Sequence, residues 1–84
     1  MYKVIVTNLK EKVFINLMEM FTEREKEVLQ LLITGLNNKQ ISAKLFISNH
    51  TTKAHITSIY KKLNVSNRVQ ATIKCIKMGM SIDA

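Results

Sequence analysis

The sequence predicts an all-α fold: four helices around one small core, preceded by an N-terminal arm and an amphipathic segment. Three observations carry this. The 84 residues contain two glycines and no proline, so nothing punctuates a series of short strands. Two helix starts are written as capping boxes, Thr22 with Glu25 and Asn37 with Gln40. Core-facing residues recur three and four apart, as in Thr52, Ile56, Ile59 and Leu63. With 46% hydrophobic and 23% charged residues the chain is globular, and its length allows a single domain with a modest core. The expected division is an arm and amphipathic segment over 1–20 and the helical domain over 21–84.

Residues 2–20 give the weakest pattern. Tyr2, Val4 and Val6 alternate as in a strand that has nothing to pair with, whereas Leu9, Val13 and Leu17 follow a helical period. An extended arm leading into a helix over about 9–19, packed on the domain or on a second copy, is expected. From Thr22 to Gly35 the capping box, acidic first turns and Val28, Leu29, Leu31, Leu32 and Leu36 describe a scaffold helix ended by glycine. Asn37 caps a short helix from about Asn38 to Leu45, in which the small Ser42 admits close approach of the next helix; Phe46 and Ile47 then turn into Ser48.

Ser48 caps the helix that runs to Leu63. Its core stripe is Thr52, Ile56, Ile59 and Leu63. At about 100° per residue, His50, Ala54, Thr57 and Lys61 point the other way, with Lys53 and Ser58 at the margins and no acidic residue among them. Asn64 then takes the left-handed position that glycine usually fills. Ser66 is expected to cap a last helix, about Asn67 to Met78, that buries Val69, Ile73, Ile76 and Met80; Ala71, Cys75 and Met78 form a second apolar strip, read as a dimerisation surface.

The net charge of +7 is not evenly spread. Beyond residue 35, Lys39, Lys44, Lys53, Lys61, Lys62, Arg68, Lys74 and Lys77 face Asp83 alone. A basic field confined to one part of a small fold suits nucleic acid or an anionic surface; a solvated face that aids solubility is the alternative composition leaves open. The single cysteine excludes an internal disulfide or a cysteine metal cluster, and no segment approaches the ~20 apolar residues of a membrane span, so a soluble, cytoplasmic protein is expected.

Two short helices joined by a tight turn, the second basic, outline a helix-turn-helix. The residues that fill it, Phe21-Thr22-Glu23-Arg24-Glu25-Lys26-Glu27-Val28-Leu29-Gln30-Leu31-Leu32, Gly35 to Ser42, Leu45 to Ser48, Thr51 to His55, Ile59, Lys62-Leu63 and Asn67 to Ala71, resemble the LuxR/FixJ-type DNA-binding domain over about 21–80. The resemblance implies a third helix in the major groove and a fourth helix for dimerisation. It implies base contacts from Lys53, Ala54 and Thr57, and phosphate or sugar contacts from Asn38, Lys39, Ser48, Thr51, His55, Lys61 and Lys62; His50 joins them from the helix pattern. His55 reads equally as a residue wedged at the core edge. Thr52, Asn64 and Gln40 stand where the family usually has valine, glycine and glutamate, and Thr57 where it often has a larger polar or basic residue. The start faintly resembles the first strand and helix of a receiver, with Thr7 and Asn8 in place of its acidic pair.

The expected function is therefore a sequence-specific regulator of transcription that binds double-stranded DNA, a homodimer reading an inverted repeat, with RNA polymerase as a further candidate partner. The competing reading is a non-catalytic interaction protein that pairs with a full-length regulator of the same family and inhibits it. No phosphate loop, ligand-spaced His/Cys cluster or nucleophile with an orienting base is present, so no enzyme, cofactor, membrane role or small-molecule substrate is expected.

Overall fold

The computed structural model describes residues 15–80. A helical turn at 15–18 leads into four helices: α1 (Glu23–Ile33), α2 (Asn38–Leu45), α3 (Asn49–Leu63) and α4 (Arg68–Lys77). No strand occurs among the described residues. The arm and most of the amphipathic helix expected over 9–19 lie outside them; Leu17 and Met18 pack against the core.

Local chemistry sets the helix starts. Thr22 Oγ1 accepts from the Glu25 amide at 3.1 Å while Glu25 Oε1 accepts from the Thr22 amide at 2.9 Å, and Asn37 and Gln40 repeat the exchange at 2.9 and 2.8 Å. Ser48 Oγ accepts from the Thr51 amide at 3.0 Å. Three of the turns need a left-handed residue: Gly35 (φ 100°), Phe46 (φ 57°) and Asn64 (φ 57°). Asn64 was expected to adopt this conformation. Phe46 was not, and its ring is 95% exposed.

α1 and α3 each pack against all three other helices, and the core lies between them. It comprises Phe21, Val28, Leu29, Leu32 and Ile33, then Ile41 of α2, Ile56, Ile59 and Leu63 of α3, and Ala71 and Cys75 of α4. Thr52, on the same stripe, is fully buried. Its hydroxyl meets Ser42 Oγ at 2.7 Å, and Ser42 Oγ donates to the Asn38 carbonyl at 2.8 Å, so the two helices of the helix-turn-helix are joined by a buried hydroxyl pair. Thr52→Val exchanges that bond, about 1 kcal/mol, for a buried methyl of similar value. Its thermal midpoint is expected to stay within a few degrees of the parent; a large loss in a melting experiment would show that the pair matters beyond its bond energy.

α4 corrects the sequence reading twice. Its N-cap is Asn67, whose Oδ1 accepts from the Gln70 amide at 2.9 Å, while Gln70 Oε1 takes the Ser66 amide at 2.8 Å. Ser66 lies one residue before that cap. Its faces are also reversed, except at Met80, which packs against the core as expected. Ala71 and Cys75 are buried at 0% and 1% exposure, whereas Val69, Ile73 and Ile76 are 65%, 48% and 45% exposed. Side-chain size explains the reversal: α4 comes close to α1 through its small residues, and its larger apolar side chains are left outside. Ala71 and Cys75 therefore belong to the core, and with Met78 half-buried beside them they do not form a free dimer surface.

Candidate nucleic-acid interface

On α3 the helical period that buries Thr52, Ile56, Ile59 and Leu63 turns Asn49, His50, Lys53, Ala54, Thr57 and Lys61 fully outward. Lys53, Thr57 and Lys61 follow one another at single-turn intervals, with Ala54 beside them. Thr51, His55, Ser58 and Lys62 are half-buried along the margins. From Asn38 to Lys77 there is no acidic residue; the described carboxylates, Glu19, Glu23, Glu25 and Glu27, all precede α2.

The N-terminal turn of α3 is hydrogen-bonded in a definite sense. Ser48 Oγ donates to Thr51 Oγ1 at 2.9 Å and accepts the Thr51 amide. Asn49 and His50, ahead of it, sit at the positive end of the helix dipole, where an anion is favoured. Lys39, in the first turn of α2, is exposed. Asn38 is half-buried and its Oδ1 accepts from Arg68 Nη2 at 2.8 Å; Arg68 Nη1 donates to the Leu36 carbonyl at 2.6 Å. The α4 arginine thus fixes the start of α2, and the Asn38 side chain keeps only its amide protons for an outside acceptor.

Lys62, expected beside Lys61, does not join the open face. Its ammonium donates to Glu25 Oε1 at 2.6 Å and lies 5.8 Å from the centre of the Phe21 ring. Ser58 donates to the other Glu25 oxygen at 2.5 Å. Burial alone would raise the carboxyl's pKa, but hydrogen bonds from Lys62, Ser58 and the Thr22 amide, with the Lys62 charge, outweigh it and hold the group at about 2. Glu25 is therefore more than half of a capping box: it pins the middle and end of α3 to the start of α1. At the far end, Lys74 Nζ donates to the Leu63 carbonyl at 2.5 Å, closing the C-terminus of α3. Burial pushes the Cys75 thiol up to about 11, with Lys74 partly opposing, so it stays protonated at neutral pH.

A helix pinned at its middle and end thus offers a cationic strip without carboxylates, backed by a second helix whose first turn also faces outward. That arrangement defines a helix-turn-helix domain. The family model described as bacterial regulatory proteins, luxR family, matches residues 19–75, and the chain belongs to that family. It is 52% identical over 58 residues to the nitrate/nitrite response regulator protein homolog of Haemophilus influenzae and 49% identical over 61 residues to the transcriptional regulatory protein LnrK of Bacillus subtilis. These alignments cover 69% and 73% of this chain but 28% of each relative. The spore germination protein GerE of Bacillus subtilis, 39% identical over 71 residues, is matched over 84% of this chain and 95% of its own length. No helix among the described residues is long and apolar enough to cross a membrane, and no group of three or more His, Cys, Asp or Glu there is placed to hold a metal ion.

Proposed function

We propose that this chain is a sequence-specific, double-stranded-DNA-binding regulator of transcription, acting in the cytoplasm as a homodimer that reads an inverted repeat through the major groove. The observation that carries the proposal is the outward face of α3: Lys53, Ala54, Thr57 and Lys61 in line, with no carboxylate anywhere on α2 to α4. Lys53, Ala54 and Thr57 are assigned to base edges. Lys39, Lys61, His50, Thr51 and His55 are assigned to the phosphate backbone, with the Asn38 amide and the Ser48 cap supporting them. Lys62 is left out, being neutralised by Glu25. The pairing surface is assigned to Val69, Ile73 and Ile76, which line one exposed side of α4. The same strip would serve for pairing with a larger family member, but a protein that acted only in that way would have no use for Lys53 and Lys61.

Lys61→Ala is expected to weaken operator and random DNA alike and to reduce the slope of log affinity against log salt by about one, while Lys53→Ala lowers operator affinity alone by roughly 1–3 kcal/mol. Titration of labelled duplexes at several salt concentrations measures both. Equal proportional losses on specific and random DNA in the two variants would remove the division of roles, and a parent chain that binds neither duplex would favour the partner-pairing function.

A further inference from the structure

Thr57 stands at the centre of the open face of α3, one turn after Lys53 and one turn before Lys61, and is itself exposed. Its hydroxyl donates to the Lys53 carbonyl at 2.9 Å. A hydroxyl has one proton and two lone pairs, and a carbonyl oxygen can only accept, so the polarity of this bond cannot be exchanged. With the proton directed back into the helix, Thr57 presents outward its oxygen lone pairs and its methyl group.

Thr51 shows the opposite arrangement one and a half turns earlier. Its oxygen accepts from Ser48 Oγ, so its own proton is not spent on that bond. Two threonines on one helix are thus set with opposite polarity: Thr51 as a donor, suited to a phosphate oxygen, and Thr57 as an acceptor, which a phosphate would repel.

We infer that Thr57 is a specificity-determining residue that works as a hydrogen-bond acceptor and takes a base amino group: adenine N6 or cytosine N4, and not the keto oxygen of guanine or thymine. The inference rests on the DNA reading of α3 given above. Its chemistry follows from the major-groove edges. Facing a purine, an acceptor meets a donor in adenine and a second acceptor in guanine; facing a pyrimidine, it meets a donor in cytosine and an acceptor in thymine. The neighbouring Lys53 ammonium is a donor only. The two adjacent side chains therefore require opposite base edges, so together they specify more than either cation-rich turn would alone.

Selection of bound duplexes from a randomised pool, run in parallel with the parent, Thr57→Val and Thr57→Ser chains, tests this. Valine keeps the shape and loses the acceptor; serine keeps the acceptor and loses the methyl. The parent is expected to select adenine or cytosine at one position of each half-site by roughly three- to ten-fold, the strength of one neutral hydrogen bond. Thr57→Ser should retain that choice and Thr57→Val should lose it, with selection elsewhere unchanged. Replacing the selected adenine by purine, or the selected cytosine by 2-pyrimidinone, removes only the exocyclic amine; it should weaken the parent by the same factor and leave Thr57→Val unaffected. A guanine or thymine at the position that Thr57→Val loses would mean that the hydroxyl donates to DNA, and identical selections by parent and Thr57→Val would mean that Thr57 reads nothing; either overturns the inference while leaving DNA binding intact. A parent chain that enriches no sequence at all overturns the DNA reading, and this inference with it.

Discussion

Glu25→Gln is expected to lower the stability of the domain by roughly 3 kcal/mol at neutral pH and to remove most of its acid sensitivity. The carboxyl has an ordinary value of 4.5 and sits at about 2 in the folded chain, so the unfolded chain binds its proton more readily. The stabilisation from its charge is complete above about pH 4.5, declines as the pH falls and is gone once the pH is below about 2. Glutamine keeps the shape and one acceptor but offers an NH2 group to Lys62 or Ser58, which both donate. Urea unfolding at pH 7 and at pH 3 measures both effects. A Glu25→Gln chain that loses as much stability on acidification as the parent would place the acid-sensitive group elsewhere. The loss matters for DNA as well, because Ser58 and Lys62 lie on α3 and their grip on Glu25 sets how that helix is presented.

Ala71→Glu is expected to prevent folding, whereas Ile73→Glu, two residues along the same helix, should leave the monomer folded and affect only association. Ala71 is fully buried among core side chains, and an unpaired carboxylate there costs several kcal/mol, a large part of what so small a domain possesses. Ile73 is 48% exposed, so the charge remains in water. Circular dichroism distinguishes the two variants. Sedimentation of Ile73→Glu then reports whether the exposed strip of α4 is where copies meet: an unaltered dimer would move the pairing surface off Val69, Ile73 and Ile76.

The contrast between these two positions shows where sequence reasoning succeeds and where it stops. The α3 cap at Ser48 and its stripe of Thr52, Ile56, Ile59 and Leu63 were legible because a cap and a helical period are local properties. So were both capping boxes and the left-handed Asn64. On α4 two apolar strips compete, and the period cannot say which one is inside; that depends on how near α4 comes to α1, which favours the small Ala71 and Cys75. The withdrawal of Lys62 from the open face has no local signature at all, since its partner lies 37 residues earlier. The true α4 cap did have one: Gln70 stands three residues after Asn67, the same spacing that identified the caps of α1 and α2.

Arg68 is the first residue of α4, and its guanidinium holds the Leu36 carbonyl and the Asn38 side chain at the entrance to α2. The helix assigned to pairing is thereby tied through side-chain hydrogen bonds to the helix pair assigned to DNA. In an assembly built through α4, the angle at the two-fold axis would set the distance between the two reading heads. DNA turns by about 35° per base pair, so such an assembly measures the phase of the duplex as well as its letters: one base pair too many between half-sites carries the second half-site out from under the second α3.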